Sequence, residues 1–120
     1  MTEEDFLRRV IETARWAGWL VYHPEKVPAR WRGETRWVTA GSDGFPDLVL
    51  VHPKRGLIFA ELKTDRGRVA DSQRRWHDAL SDASVEVYVW RPIDWDAIVR
   101  RLTTPVSAAR ITETTTEGIE

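Results

Sequence analysis

The 120-residue chain contains no cysteine. That excludes a disulfide framework and any thiolate metal site. No apolar run approaches the roughly 18 residues that a bilayer span requires, so no membrane partner is expected. The opening residues, Met1-Thr2-Glu3-Glu4-Asp5, are acidic where a signal or transit peptide would carry positive charge. A soluble intracellular protein is the expectation. Lysine is scarce as well: of 18 basic residues, 15 are Arg. That bias fits phosphate binding and genome composition equally well.

The length fits one domain with one modest core. The net charge of −1 hides an uneven distribution. Residues 26–75 carry 11 Lys/Arg against 6 Asp/Glu, a local +5, while the segments on either side are acidic. Such asymmetry suits a polyanionic partner. Seven Trp is a high number for this length, and most are expected in the core or at its rim.

The basic segment contains the most informative stretch, Gly44 to Lys63. Two apolar runs, Leu48–Val51 and Leu57–Ala60, flank a turn at Pro53-Lys54-Arg55-Gly56, which reads as a β-hairpin. Both runs are continuous, so the strands are expected to be covered on both faces. Asp47 nevertheless opens the first strand, and Glu61 and Lys63 lie on the second. Two apart in an extended strand, Glu61 and Lys63 share a face. Charges set beside a core need a partner or a metal to offset their desolvation.

Upstream, Thr2 and Asp5 form a capping-box pattern, and Phe6, Leu7, Val10, Ala14 and Ala17 recur at helical spacing. Glu3 falls near the centre of that apolar stripe and Glu4 well to one side. Glu3 is either a first-turn residue favoured by the helix dipole or a carboxylate aimed into a site. Gly18 ends the helix, and Trp19–His23 reads as a strand, with His23 as a ligand, a phosphate contact or a strand-end residue. Pro24 to Ser42 reads as a long polar connection carrying Arg30, Trp31, Arg32, Arg36 and Trp37. Interleaved Arg and Trp fit nucleic-acid contact, and a folded-back loop with packed Trp fits equally.

Downstream, Thr64–Arg68 is a polar loop with Arg66 and Arg68. A helix is expected over Ala70–Asp82 with Gln73 in its first turn, then a strand over Val85–Trp90 and a helix over Ile93–Leu102. From Thr103 the composition predicts a disordered tail. The order is α-β-β-β-α-β-α. A strand–helix–strand crossover implies a parallel pair, so the fold class is α/β, a small mixed β-sheet flanked by helices. The domain is expected over residues 1–102, with the tail over 103–120.

Two carboxylates and a backbone carbonyl, most naturally that of Leu62, make the hard-oxygen set that Mg²⁺ prefers. A lysine on the same face can position a water or stabilise charge on a phosphoryl group. Gln73 can orient the water or a phosphate.

Pro46-Asp47 followed by Glu61-Leu62-Lys63 resembles the PD-(D/E)XK nuclease motif, which implies a restriction-endonuclease-like core. Gly44-Phe45-Pro46-Asp47-Leu48, Phe59-Ala60-Glu61-Leu62-Lys63, Gln73 and Val87-Tyr88-Val89-Trp90 together resemble the VRR-NUC branch in its stand-alone phage and bacterial form. The resemblance runs from about Glu3 to Leu102. It implies that Asp47 and Glu61 bind metal, that Lys63 is the catalytic lysine, and that Gln73 is the helix glutamine. It also implies a first-helix glutamate at the metal, with Glu3 the better match and Glu4 the fallback. Mg²⁺ is the implied cofactor, with Mn²⁺ able to substitute. The implied activity is endonucleolytic cleavage of branched or structured DNA, including Holliday junctions, by a homodimer in the cytoplasm of a bacterium or a phage's host. The last strand departs from the family pattern, ending Val89-Trp90-Arg91-Pro92, and leaves Arg91 as the candidate phosphate contact there. A catalytically silent or partner-dependent nucleic-acid-binding module is the alternative, and an interaction protein without nuclease activity the third reading.

Overall fold

The computed structural model describes residues 1–105. The tail expected from Thr103 onward falls almost wholly outside the described residues.

Thr2 caps α1 (Glu3–Trp16): its hydroxyl accepts the Asp5 N–H at 3.0 Å, and the Asp5 carboxylate accepts the Thr2 N–H in return. Asp thus fills the capping-box place more often held by Glu. The helix buries Phe6, Val10 and Ala14. Gly18, at φ +92°, turns the chain into β1 (Leu20–Tyr22), a conformation that a side chain would strain.

β2 (Lys26–Trp31) and β3 (Glu34–Thr39) follow, pairing only with each other as an antiparallel ribbon. This overturns the expectation of a long irregular connection from Pro24 to Ser42. The ribbon turns at Arg32-Gly33, with φ +51° and +80°. Two positive φ values match the twist of a tight hairpin, but Arg-Gly is not the usual Asn-Gly or Asp-Gly signal. Pro28 within β2 also argues against a strand, and only Val27, Ala29 and Val38 are partly covered, which leaves the alternating pattern weak.

β4 (Leu48–His52) and β5 (Gly56–Leu62) form the expected hairpin. The chain then enters α2 (Asp71–Asp82), β6 (Val87–Trp90), a 3₁₀ turn at Pro92–Asp94 and α3 (Trp95–Thr103). The main sheet runs β1-β4-β5-β6, antiparallel except for the parallel β5–β6 pair. The fold is therefore a small mixed sheet flanked by helices, with the ribbon inserted between its first two strands in chain order.

Strand alternation divides the sheet into two faces. Leu48, Leu50, Ile58, Ala60, Leu62 and Trp90 meet Phe6, Val10 and Ala14 of α1 and Ile98 and Leu102 of α3 in the core. On the other face, Phe59 packs edge-on to Phe45, and Phe45 to Trp76 of α2. That cover is incomplete. Val51 and Leu57 remain 41% and 42% exposed, and Leu20 and Tyr22 stand open beside them. A continuous apolar run therefore did not mean burial on both faces along the whole hairpin. Four of the seven Trp lie in the core or at its rim, Trp19 and Trp90 buried and Trp76 and Trp95 half-buried, while Trp16, Trp31 and Trp37 are exposed.

Candidate active site

Asp47 immediately precedes β4, and the β4–β5 register sets it beside the end of β5. Its Oδ2 accepts the Leu62 N–H at 2.8 Å. In an extended strand the N–H and C=O of one residue leave on the same side, so the Leu62 carbonyl also turns toward the Asp47 edge. His23 contacts the Asp47 carbonyl oxygen through Nδ1 at 2.8 Å. Because a carbonyl can only accept, that ring nitrogen carries the proton. Of the readings open for His23, the structure gives it a strand-end part, bracing the backbone of Asp47.

Glu61 projects from β5 onto the α2 face, where Gln73 Nε2 donates to its Oε1 at 2.8 Å. Gln73 is held in turn, because its Oε1 accepts the Ala70 N–H at 2.8 Å and so caps α2. Gly44 lets this happen. At φ +83°, it lies so close to α2 that a Cβ there would stand 2.4 Å from the Ser72 backbone. Lys63 follows the strand, its N–H bonded to the Trp90 carbonyl, and its charge acts to keep Glu61 ionised.

Asp47 and Glu61 are both buried, at 7% and 5% exposure. Burial, then the neighbouring Asp47 charge, pushes the Glu61 carboxyl up to about 9. Its Oε2 is buried without a hydrogen-bond partner. Two buried carboxyls this close hold a proton between them in place of a second charge, and a hard cation is the species that could take its place. The donor set thus fits a divalent ion of the Mg²⁺ class.

The rest of the expected ligand set is looser. Glu3 and Glu4 both line a cavity of about 260 Å³ with His23, Lys26, Asp47 and Leu62. Among the described residues, however, no three His, Cys, Asp or Glu side chains form a ready-made cation cluster. Asp47 and Glu61 meet; Glu3 stands at the rim.

Lys26, at the base of β2, has no counterpart in the sequence reading. Its Nζ lies 3.2 Å from Asp47 Oδ1. Burial lowers its pKa, but the Asp47 charge and hydrogen bond outweigh burial and raise it overall, with Glu61 and Glu3 adding to the effect. Nothing in the spacing announces this residue, 21 positions before Asp47. Only the ribbon brings it there.

The candidate nucleic-acid contacts divide. Arg30, Arg32, Arg66 and Arg68 are exposed. Arg36, also exposed, makes a loose pair with Asp43 at 3.8 Å. Arg91 is otherwise engaged: its Nη1 donates to the carbonyls of Thr64 and Gly67, both at 2.7 Å. Through that one nitrogen it braces the loop that carries Arg66 and Arg68.

Among the described residues no helix is long and apolar enough to cross a membrane. Among known families, the VRR-NUC domain matches residues 19–92. That is more than half of the chain and includes Asp47, Glu61, Lys63 and Gln73, with Glu3 outside it. Nothing among curated proteins or solved structures matches the chain.

Proposed function

Because this chain belongs to the VRR-NUC domain family, whose fold is PD-(D/E)XK-like and whose function is of the nuclease type, we propose that it is a divalent-metal-dependent DNA endonuclease. The carrying observation is the buried Asp47–Glu61 pair with its unpartnered Oε2. Asp47, Glu61 and the Leu62 carbonyl would hold Mg²⁺ or Mn²⁺, with Glu3 completing the set from α1. When bound, the ion polarises a phosphoryl oxygen and makes a water nucleophilic at neutral pH.

The chain's own residues supply the rest. Lys63, beside Glu61 on the β5 face, positions the attacking water and stabilises charge gathering on the phosphoryl oxygens. Gln73 acts through Glu61. With its amide oxygen and one N–H already used, it is a positioning residue that fixes the carboxylate's rotamer. Arg30, Arg32, Arg36, Arg66 and Arg68 contact phosphates, while Arg91 sets the loop of the last two.

The proposed substrate is branched or structured DNA such as a Holliday junction, cleaved by a homodimer in the cytoplasm of a bacterium or a phage's host. The nuclease domain occupies residues 1–102, followed by a tail. Open apolar positions at Leu20, Tyr22, Val51 and Leu57 support a dimer. The alternative, a DNA-binding module whose catalysis is silent or partner-dependent, draws on the Lys26–Asp47 pair, which occupies one carboxylate oxygen.

Incubation with four-way-junction, flap and linear DNA in Mg²⁺, Mn²⁺ or EDTA separates the two. Metal-dependent cleavage of a branched substrate is expected. Binding without cleavage of any substrate would leave the module.

A further inference from the structure

The β2–β3 register sorts the ribbon's side chains into two sides. Residues paired directly across an antiparallel ladder share a face. Lys26 with Thr39, Pro28 with Trp37 and Arg30 with Thr35 therefore lie on one face, and Val27 with Val38, Ala29 with Arg36 and Trp31 with Glu34 on the other. The second face is partly covered at Val27, Ala29 and Val38. The first is open except at the buried Thr39, with Trp37 67% exposed, and it is the face from which Lys26 reaches Asp47.

A two-stranded ribbon is marginal by itself, and exposed indole on it gains nothing from the core. Charge narrows the choice of partner. Across residues 26–39, Lys26, Arg30, Arg32 and Arg36 face a single acid, Glu34. The open face is tied to the site at two points, through Lys26 on Asp47 and through Gln73 on Glu61. Trp37, Lys26 and Gln73 line one cavity of about 160 Å³ between the ribbon and the first turn of α2, with Arg36 and Val38 entering it from the ribbon's other face. Along a strand, the Pro28–Trp37 pair lies about 7 Å beyond Lys26, and Arg30 about 7 Å further. The first distance is close to two stacked base steps of about 3.4 Å each.

We propose that this face receives an unpaired segment of the DNA substrate as it leaves the Asp47–Glu61 pair, Trp37 stacking on an exposed base and Arg30 neutralising a phosphate. A base inside a duplex is already stacked on both sides. An open indole beside a cleavage centre therefore selects unpaired nucleotides, as found in a single-stranded flap or gap of a branched substrate. The inference rests on the nuclease reading for its geometry but is tested by binding.

The experiment uses the full chain in EDTA and two fluorescent probes, a duplex bearing a single-stranded oligo-dT arm and the same duplex fully paired. Trp37→Ala weakens the armed probe about tenfold or more and the paired duplex less than about threefold, while Trp37→Phe recovers most of the loss. Trp31→Ala is the matched control, equally exposed at 68% but on the other face, and it leaves both affinities within about twofold. Arg30→Ala lowers the salt dependence of binding to the armed probe by about one counterion. Equal losses on both probes, equal losses at Trp31 and Trp37, or a Trp37→Ala change confined to oligomeric state would each overturn the proposal; the last would assign the face to a second copy of the chain. Cleavage of either DNA by Trp37→Ala in Mg²⁺ leaves the nuclease reading standing if the surface fails. A Trp37 effect without cleavage by the unaltered chain does the reverse.

Discussion

Gln73 Nε2 donates to Glu61 Oε1 at 2.8 Å while Gln73 Oε1 accepts the Ala70 N–H at 2.8 Å. One side chain therefore caps a helix and fixes a buried carboxylate. Gln73→Ala should lower stability by about 1 kcal/mol through the lost cap and weaken metal affinity or cleavage about 10- to 100-fold. Gln73→Glu keeps the cap acceptor but loses the donor to Glu61. It should retain most of the stability and still lose activity, as thermal melts and cleavage rates on the same samples will show.

Gly44 tests the same support from the other side. Alanine there meets the Ser72 backbone at 2.4 Å and is strained by φ +83°. Gly44→Ala should destabilise the fold by more than about 1 kcal/mol. It should also reduce cleavage by shifting α2, and with it Gln73, although Gly44 has no side chain to do chemistry. Normal stability and cleavage would mean that α2 is not seated against this turn.

Much of this support could be read in the sequence, because local signals carried it. The Thr2–Asp5 box, the β4–β5 hairpin and the parallel crossover to β6 each follow from spacing and turn chemistry over short range. The Asp47, Glu61 and Lys63 set followed from charges placed where apolar residues should be. Lys26 and the ribbon could not be read that way. The ribbon turns on Arg32-Gly33, is only partly covered on one face, and includes Pro28 in a strand. Lys26 gains meaning only when its strand is folded back against Asp47. The bracing part of Arg91 was hidden for a similar reason, since its acceptors at Thr64 and Gly67 lie in a loop without periodicity.

Lys63→Ala should leave Mn²⁺ affinity and DNA affinity close to those of the unaltered chain but reduce turnover about 10²- to 10³-fold. The lysine acts on the reacting group and not on the ion. Cleavage at the unaltered rate would remove Lys63 from the chemistry.

Glu61 predicts a pH dependence of stability. Its carboxyl is pushed from an ordinary 4.5 up to about 9, by burial first and the Asp47 charge second. The folded chain then holds a proton that the unfolded chain has released. Its contribution to stability is full below about pH 4.5 and is lost as pH rises toward about 9. In EDTA, Glu61→Gln should flatten this decline and exceed the unaltered chain by at least about 1 kcal/mol at pH 8. Mn²⁺ should restore the unaltered chain at that pH and do nothing for the variant. Parallel stability–pH curves for the two proteins would contradict the assignment.

Mn²⁺ titration calorimetry at pH 7.5, comparing the unaltered chain with Asp47→Asn, is the most direct test of the Asp47–Glu61 centre. Asparagine preserves an acceptor for the Leu62 N–H, so the fold should survive while the charge goes. Saturable Mn²⁺ binding by the unaltered chain and its loss in the variant are expected. Equal binding by both, or none by the unaltered chain, would contradict a metal centre at this pair.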